Sequence, residues 1–289
     1  MSDEIPETLY HYTSAQGLLG IIESRTLRAT DTRYLNDVHE LTYGSATIVD
    51  ELYRAANTLD PHNNDGPLVG PKAKATELRI AAQTVERGGL FERNELGDAY
   101  VTCFCDDSDQ LGQWRGYGSD GGGFAIGFQG SALRELAHKL QRDGANMLAV
   151  PEPRRVIYGP DAVTARCADI VESILRFEPN ADPVSTGVFD AYRICLPELA
   201  FMKDHAFREE REWRVLIINI ADRTLKFRPD GTLGVIPYVD ITFPVNAIRE
   251  VIVGPGPHKE LRKQAVEQLL ADNKYTDTTV RTSEVPYRP

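Results

Sequence analysis

Residues 207–218 read Phe207-Arg-Glu-Glu-Arg-Glu-Trp-Arg-Val-Leu-Ile-Ile218. Six charges crowd into eight positions, and an apolar run follows at once. The run 213–218 is rich in β-branched and aromatic residues and predicts a buried strand. Extended backbone places Glu210, Glu212 and Arg214 on one face, with Trp213 and Val215 on the other. Carboxylates at the mouth of a buried strand are costly unless they are paired or used. Two readings follow. Arg211 or Arg214 neutralises the acids as a salt-bridged strand mouth, or the acids carry chemistry.

Working outward, 9–12 reads as a short strand and Ser14 as the N-cap of a helix with apolar Leu18, Leu19, Ile21 and Ile22. Further strands are expected over 26–30, 100–105, 124–128, 155–158, 248–253 and 278–282, and two more around the Pro229-Asp-Gly231 turn. Helices are expected over 37–52, 72–87, 133–140, 162–176, 183–203 and 259–270. Residues 113–117 read as a polar loop, and the stretch 60–71 as a surface loop. Strands and helices interleave without βαβ regularity. The expected fold is therefore α+β: one domain over 1–289, with a central mixed or mostly antiparallel sheet flanked by helices.

The chain has 289 residues and a formal charge of −11. An acidic surface repels phosphate backbones, so no general nucleic-acid binding is expected. Cys103 and Cys105 alternate onto one strand face and read as small core residues in a reducing compartment. No set of further ligands at zinc spacing accompanies them, so no metal is expected. The acidic start Met-Ser-Asp-Glu lacks the pattern of a signal peptide, and no apolar run reaches membrane-spanning length. The expectation is a cytoplasmic protein with no membrane partner.

Several other elements carry polar chemistry. His11 and Thr13 end the first strand and offer an imidazole and a hydroxyl to a sugar or an amide, or else fill a polar corner and cap the helix. In Tyr34-Leu-Asn-Asp-Val-His-Glu40, Asn36 and Asp37 suit an N-cap and Glu40 the capping-box acid. Gln113-Trp-Arg-Gly-Tyr117 can stack on a flat ring, or Trp114 can anchor the segment in the core. Gly254-Pro-Gly-Pro-His258 reads as a structural turn, because its prolines lack donors.

Tyr10-His-Tyr-Thr-Ser14, Ile21-Ile22, Leu27, Leu35-Asn-Asp-x-x-Glu40, Trp114-x-x-Tyr117, Gly127-Phe128, Lys203, Glu210-x-Glu-Trp-Arg214 and Ile252-Val-Gly-Pro255 resemble, in that order, the bacterial DUF2971 family. That family name carries no activity. More distantly, a first strand with His-x-Thr, a mid-chain aromatic and a late Glu-x-Glu before a strand are similar to the ADP-ribosyltransferase superfamily. This second resemblance implies a split sheet and NAD as substrate. His11 and Thr13 would bind NAD, with Tyr117 or Tyr34 (and Trp114 beside them) as the stacking aromatics. Glu212 would stabilise the oxocarbenium-like transition state, and Glu210 would position or deprotonate the acceptor. Lys203 and Arg214 are further candidates.

The function so implied is an NAD-consuming ADP-ribosyltransferase or NAD glycohydrolase, acting as a bacterial toxin or defence effector, with a macromolecule as possible acceptor. Two alternatives stand beside it. Asp37, Glu40, His11 and Glu212 could build a Mg²⁺-dependent nuclease or phosphodiesterase. A non-catalytic module could sense a nucleotide-like ligand.

Overall fold

The computed structural model describes residues 4–35, 43–62, 66–87, 98–117, 122–143, 147–149, 152–177, 182–219 and 225–286. In chain order its elements are β1 (Thr8–Thr13), α1 (Ala15–Ser24), β2 (Thr26–Asp31), α2 (Ser45–Leu59), α3 (Gly70–Glu86), β3 (Asp98–Cys105), α4 (Leu111–Tyr117), β4 (Phe124–Gln129) and α5 (Gly130–Asp143). Then come β5 (Met147–Ala149), β6 (Arg154–Arg155), β7 (Ile157–Tyr158), α6 (Pro160–Leu175), α7 (Pro183–Asp190), α8 (Leu196–Leu199) and β8 (Met202–Lys203). The chain closes with β9 (Glu212–Asn219), β10 (Lys226–Asp230), β11 (Gly234–Thr242), β12 (Ile248–Val253), α9 (Lys259–Asp272) and β13 (Thr279–Thr282). The fold is α+β. None of these helices is long and apolar enough to cross a membrane.

Packing divides the chain into two compact units, each assembled from separate stretches. The first comprises Met1–Asp31, Tyr100–Val156 and Arg208–Pro289, and the second Thr32–Ala99 and Ile157–Phe207. The first unit holds the sheet, in the order β10-β11-β2-β3-β1-β4-β12-β13, with β5 and β6 paired to β9 and β9 paired to β3. The sheet is mixed, since β12 and β13 run parallel while β1 is antiparallel to β3 and β4. A strand has two edges, yet β3 has three partners, so the sheet forks at β3. The register shows where. β1 pairs with β4 over its whole length, from Thr8↔Gln129 to Thr13↔Phe124. With β3 it shares only Tyr10↔Cys105. β2 meets β3 earlier, at Thr30↔Val101 and Asp31↔Tyr100.

One face of this sheet buries Leu9, Phe104, Ile126, Phe128, Trp213 and Val215 in a large core. Phe128 meets Phe104 and Phe243 edge-on, with ring centroids 5.8 and 5.1 Å apart, the geometry aromatic quadrupoles favour. The other face buries a smaller group: Tyr12, Cys105, Trp114, Ala125 and Ile252.

The second unit is mainly helical (α2, α3, α6, α7, α8), with β7 and β8 as a short parallel pair. Here the structure corrects several expectations. The helix expected over 37–52 starts at Ser45 and runs on to Leu59, burying Ile48, Val49, Leu52 and Ala56. Gly44 precedes it and lies close against Met202: a Cβ at Gly44 would come within 2.3 Å of the Met202 sulfur. Asn36, Asp37 and Glu40 lie outside the described residues.

The strand expected over 155–158 is two strands with different partners, β6 on β9 and β7 on β8. The helix expected over 183–203 breaks into α7, a π-helical turn over Ala191–Cys195, and α8. Pro197 explains the wide turn. It brings no N–H, and its ring would press on the carbonyl one regular turn back. Lys203 therefore belongs to a strand, not a helix.

Candidate functional site

The fork at β3 is where the sequence motifs converge within the first unit. Beyond Tyr10↔Cys105 the β1–β3 ladder stops, and a side chain replaces it. His11 Nδ1 lies 2.9 Å from the carbonyl oxygen of Cys103. A carbonyl only accepts, so Nδ1 carries the proton, and in the neutral ring Nε2 carries the lone pair. Burial holds the His11 pKa below its ordinary value of 6.5, with the Cys103 hydrogen bond opposing. The neutral tautomer is thereby favoured. The ring meets Phe104 edge-on at 5.9 Å, and the residue keeps some accessible surface.

Just past the end of β3 the late motif is anchored. The amide of Asp106 donates to the carbonyl of Arg211 at 3.3 Å. The Arg211 guanidinium reaches Asp106 at 2.6 Å and Asp107 at 3.1 Å. Tyr12, from the first motif, donates its hydroxyl to the Asp107 carbonyl at 2.8 Å and accepts from the Gln110 amide at 3.0 Å. The stretch from Cys103 to Gln110 thus ties the His11-Tyr12-Thr13 element to the start of β9. Asp106, Asp107 and Asp109 were not singled out from the sequence. Their signal was present as three acids in four positions directly after an apolar strand.

The placement of Glu210 and Glu212 differs from simple alternation. Glu210 closes a 3₁₀ turn over His205–Glu210. Arg211 follows in the left-handed region at φ 48°, and β9 begins only at Glu212. The positive φ turns the chain between the two acids, so they do not share a strand face. The Glu210 carbonyl accepts from Gln113 Nε2 at 3.3 Å.

Glu212 and Arg214 do share a face, as expected, and they pair in a fork. Arg214 Nε donates to Glu212 Oε1 at 2.9 Å and Nη2 to Oε2 at 2.8 Å. Both side chains are enclosed, at 7% and 1% exposure. Trp213, Val215 and Ile217 face the large core instead. Among the described residues no hydrogen bond or ion pair joins His11 to Glu212. Their chain segments converge on β3.

Residues 111–117 form the helix α4 rather than a loop. About two turns long, it buries Gln113 and the large indole of Trp114. Trp114 is fully buried, stacks edge-on against Tyr12 at 4.7 Å and donates Nε1 to Asp109 at 2.8 Å. Its ring is thus core and offers no open face for stacking a ligand. Asp109 also accepts from Ser283 Oγ at 2.5 Å and the Glu284 amide at 2.7 Å, which ties α4 to the last strand.

Tyr117 ends α4 with 42% of its surface exposed. Thr13 is half-buried at the end of β1. Its hydroxyl lies over Gly17, where a Cβ would come within 1.9 Å of it. Tyr34 and Lys203 belong to the second unit. Lys203 is buried there, with its ammonium 4.9 Å from the centre of the Phe207 ring.

Of the two cysteines expected to be core, Cys105 is buried and Cys103 only partly so. Burial pushes the Cys105 thiol up to about 12, so it is no nucleophile at neutral pH. Among the described residues no group of three or more His, Cys, Asp or Glu is arranged to hold a metal.

No curated protein and no solved structure matches the chain. A family comparison does match: residues 113–215, from Gln113 of α4 to Val215 of β9, fit the model of the family described as "Protein of unknown function (DUF2971)", and so tie that stretch to this family.

Proposed function

We propose that this protein breaks the bond between nicotinamide and ribose in NAD, passing ADP-ribose to a macromolecule or to water. The observation that carries the reading is the locked tautomer of His11. Its Nδ1–H is committed to Cys103, which leaves Nε2 as an acceptor for a ribose hydroxyl. Its lowered pKa keeps that acceptor neutral near pH 7. In the reaction nicotinamide leaves with the bonding pair, C1′ becomes cationic, and the acceptor oxygen or nitrogen attacks it and loses a proton. A carboxylate fixed near C1′ stabilises the developing charge more than the ground state. Glu212 is the carboxylate proposed for this role, with Arg214 fixing its orientation. Glu210, Thr13 and Tyr117 complete the proposed site. A dinucleotide is long enough to touch residues that do not touch each other. The roles of toxin or defence effector belong to this same proposal.

The test is a thermal shift with NAD followed by nicotinamide release, on wild type and Glu212→Gln. Release that vanishes in the variant while the NAD shift persists supports the reading. Neither shift nor release at millimolar NAD sinks it.

A second reading has its own observation. Glu212 is already neutralised by a buried two-pronged partner, as a structural pair would be. In that case the same site senses a nucleotide without turnover, and NAD or a related nucleotide raises the melting temperature with no nicotinamide released.

A further inference from the structure

Glu210 and Glu212 do not share a strand face because Arg211, between them, is left-handed at φ 48°. An L-residue other than glycine rarely holds that conformation unless its surroundings over-determine it. An extended Arg211 would return both acids to one face. Three consecutive carbonyls at this turn are each engaged from the stretch that follows β3. The Glu209 carbonyl accepts from Gln110 Nε2. The Glu210 carbonyl accepts from Gln113 Nε2 at 3.3 Å, and the Arg211 carbonyl from the Asp106 amide at 3.3 Å. The turn also closes on itself, with the Arg211 amide donating to the Arg208 carbonyl at 3.3 Å.

The two glutamines are themselves held in place. Gln110 directly precedes α4 and Gln113 lies in its first turn, a spacing that sends both side chains off one side of the helix. The Gln110 amide donates to the Tyr12 hydroxyl at 3.0 Å, and its Oε1 accepts from the Cys105 thiol at 3.4 Å. With Oε1 so occupied, Nε2 is the end that meets the turn, as an accepting carbonyl requires. Gln113 is only 9% exposed, and a buried amide donor needs its acceptor.

We infer that Gln110 and Gln113 are positioning residues: through the carbonyls of Glu209 and Glu210 they keep Arg211 left-handed, and so set where Glu210 and Glu212 stand. Their part in turnover rests on the NAD reading, while their hold on the turn does not. The ion pairs of Arg211 with Asp106 and Asp107 act on its side chain. The glutamines act on the backbone before it.

The experiment compares wild type with Gln110→Met and Gln113→Met, which keep the length of the side chain and remove its donor. Hydrogen exchange is followed at the Arg211 and Asp106 amides, and nicotinamide release from NAD is measured alongside. Expected in each variant is exchange about tenfold faster at these two amides, with the amides of the β1–β4 ladder unchanged. Expected with it is a kcat lower by about tenfold to a hundredfold at an unchanged KM for NAD. A variant that does not fold loses protection in the β1–β4 ladder as well, and the other variant then decides. Unchanged exchange at Arg211 and Asp106 in a variant that keeps its ladder would overturn the inference, because the ion pairs alone would then hold the turn. Faster exchange with an unchanged kcat would overturn the positioning role. Wild type that releases no nicotinamide would sink the NAD reading, and the exchange would then decide the hold on the turn by itself.

Discussion

Glu212 and Arg214 set the terms on which any test of the site must be read. A guanidinium and a carboxylate out of water are tolerated because each satisfies the other in two parallel hydrogen bonds. Removing one partner takes this two-pronged pairing away from the other's buried charge. Arg214→Met is expected to cost about 3–5 kcal/mol of folding stability, measured by urea denaturation. The double variant Glu212→Met with Arg214→Met is expected to cost less than the sum of its single changes, since neither buried charge remains. A strictly additive cycle would show that the pair is not energetically coupled. Glu212→Gln keeps an acceptor and the side-chain shape, which makes it the variant for activity work.

The buried imidazole of His11 makes stability depend on pH. Its folded pKa lies below 6.5, so its contribution to stability is full above pH 6.5 and is lost as pH falls through the folded value. Comparing wild type with His11→Asn by urea denaturation at pH 7.5 and 5.5 isolates the effect. Wild type is expected to lose more stability than the variant, by at most about 1.4 kcal/mol per pH unit. Equal losses would mean that the imidazole protonates as readily in the fold as outside it.

At the scale of elements, short-range chemistry was the most legible. Ser14 was read as a cap from its place between a strand and an apolar stripe, and its hydroxyl does accept from the Gly17 amide at 3.2 Å. Ser14→Ala is expected to cost about 1 kcal/mol, seen as a small drop in the urea midpoint with an unchanged slope. The hairpin around Pro229-Asp-Gly231 was equally plain, with Asp230 taking the amides of Thr232 and Leu233.

What escaped the sequence depends on distant partners. The split of 155–158 into two strands follows from β9 and β8 competing for adjacent residues, which lie far apart in sequence. The helical state of 111–117 rests on Trp114 finding Tyr12 and Asp109. About two turns are too short to show a hydrophobic period. The different faces of Glu210 and Glu212 come from one left-handed residue, Arg211. Arginine gives no hint of that conformation, as glycine would have done.

At the scale of the whole molecule, the chain passes between its two units four times, at 31–32, 99–100, 156–157 and 207–208. Neither unit is a continuous stretch, and this bears on the family match over 113–215. That stretch contains β4, but both neighbours of β4 in the sheet lie outside it: β1 at Thr8–Thr13 and β12 at Ile248–Val253. Isolated, β4 would expose its buried Phe124, Ala125, Ile126 and Phe128 and both of its hydrogen-bonding edges. The stretch also carries only residues 212–215 of β9, and lacks β3, the strand that joins β9 to the main sheet. The fragment 113–215 is therefore expected not to fold alone. Its circular dichroism should show no cooperative thermal transition and its amide resonances should be poorly dispersed, whereas the full chain melts cooperatively. Co-expression with 1–112 and 216–289 supplies β1, β3 and β12 and is expected to restore the transition. A fragment that melts cooperatively by itself would mean that the matched stretch is an autonomous folding unit, and that the long-range pairing of β4 with β1 and β12 adds to a core already complete.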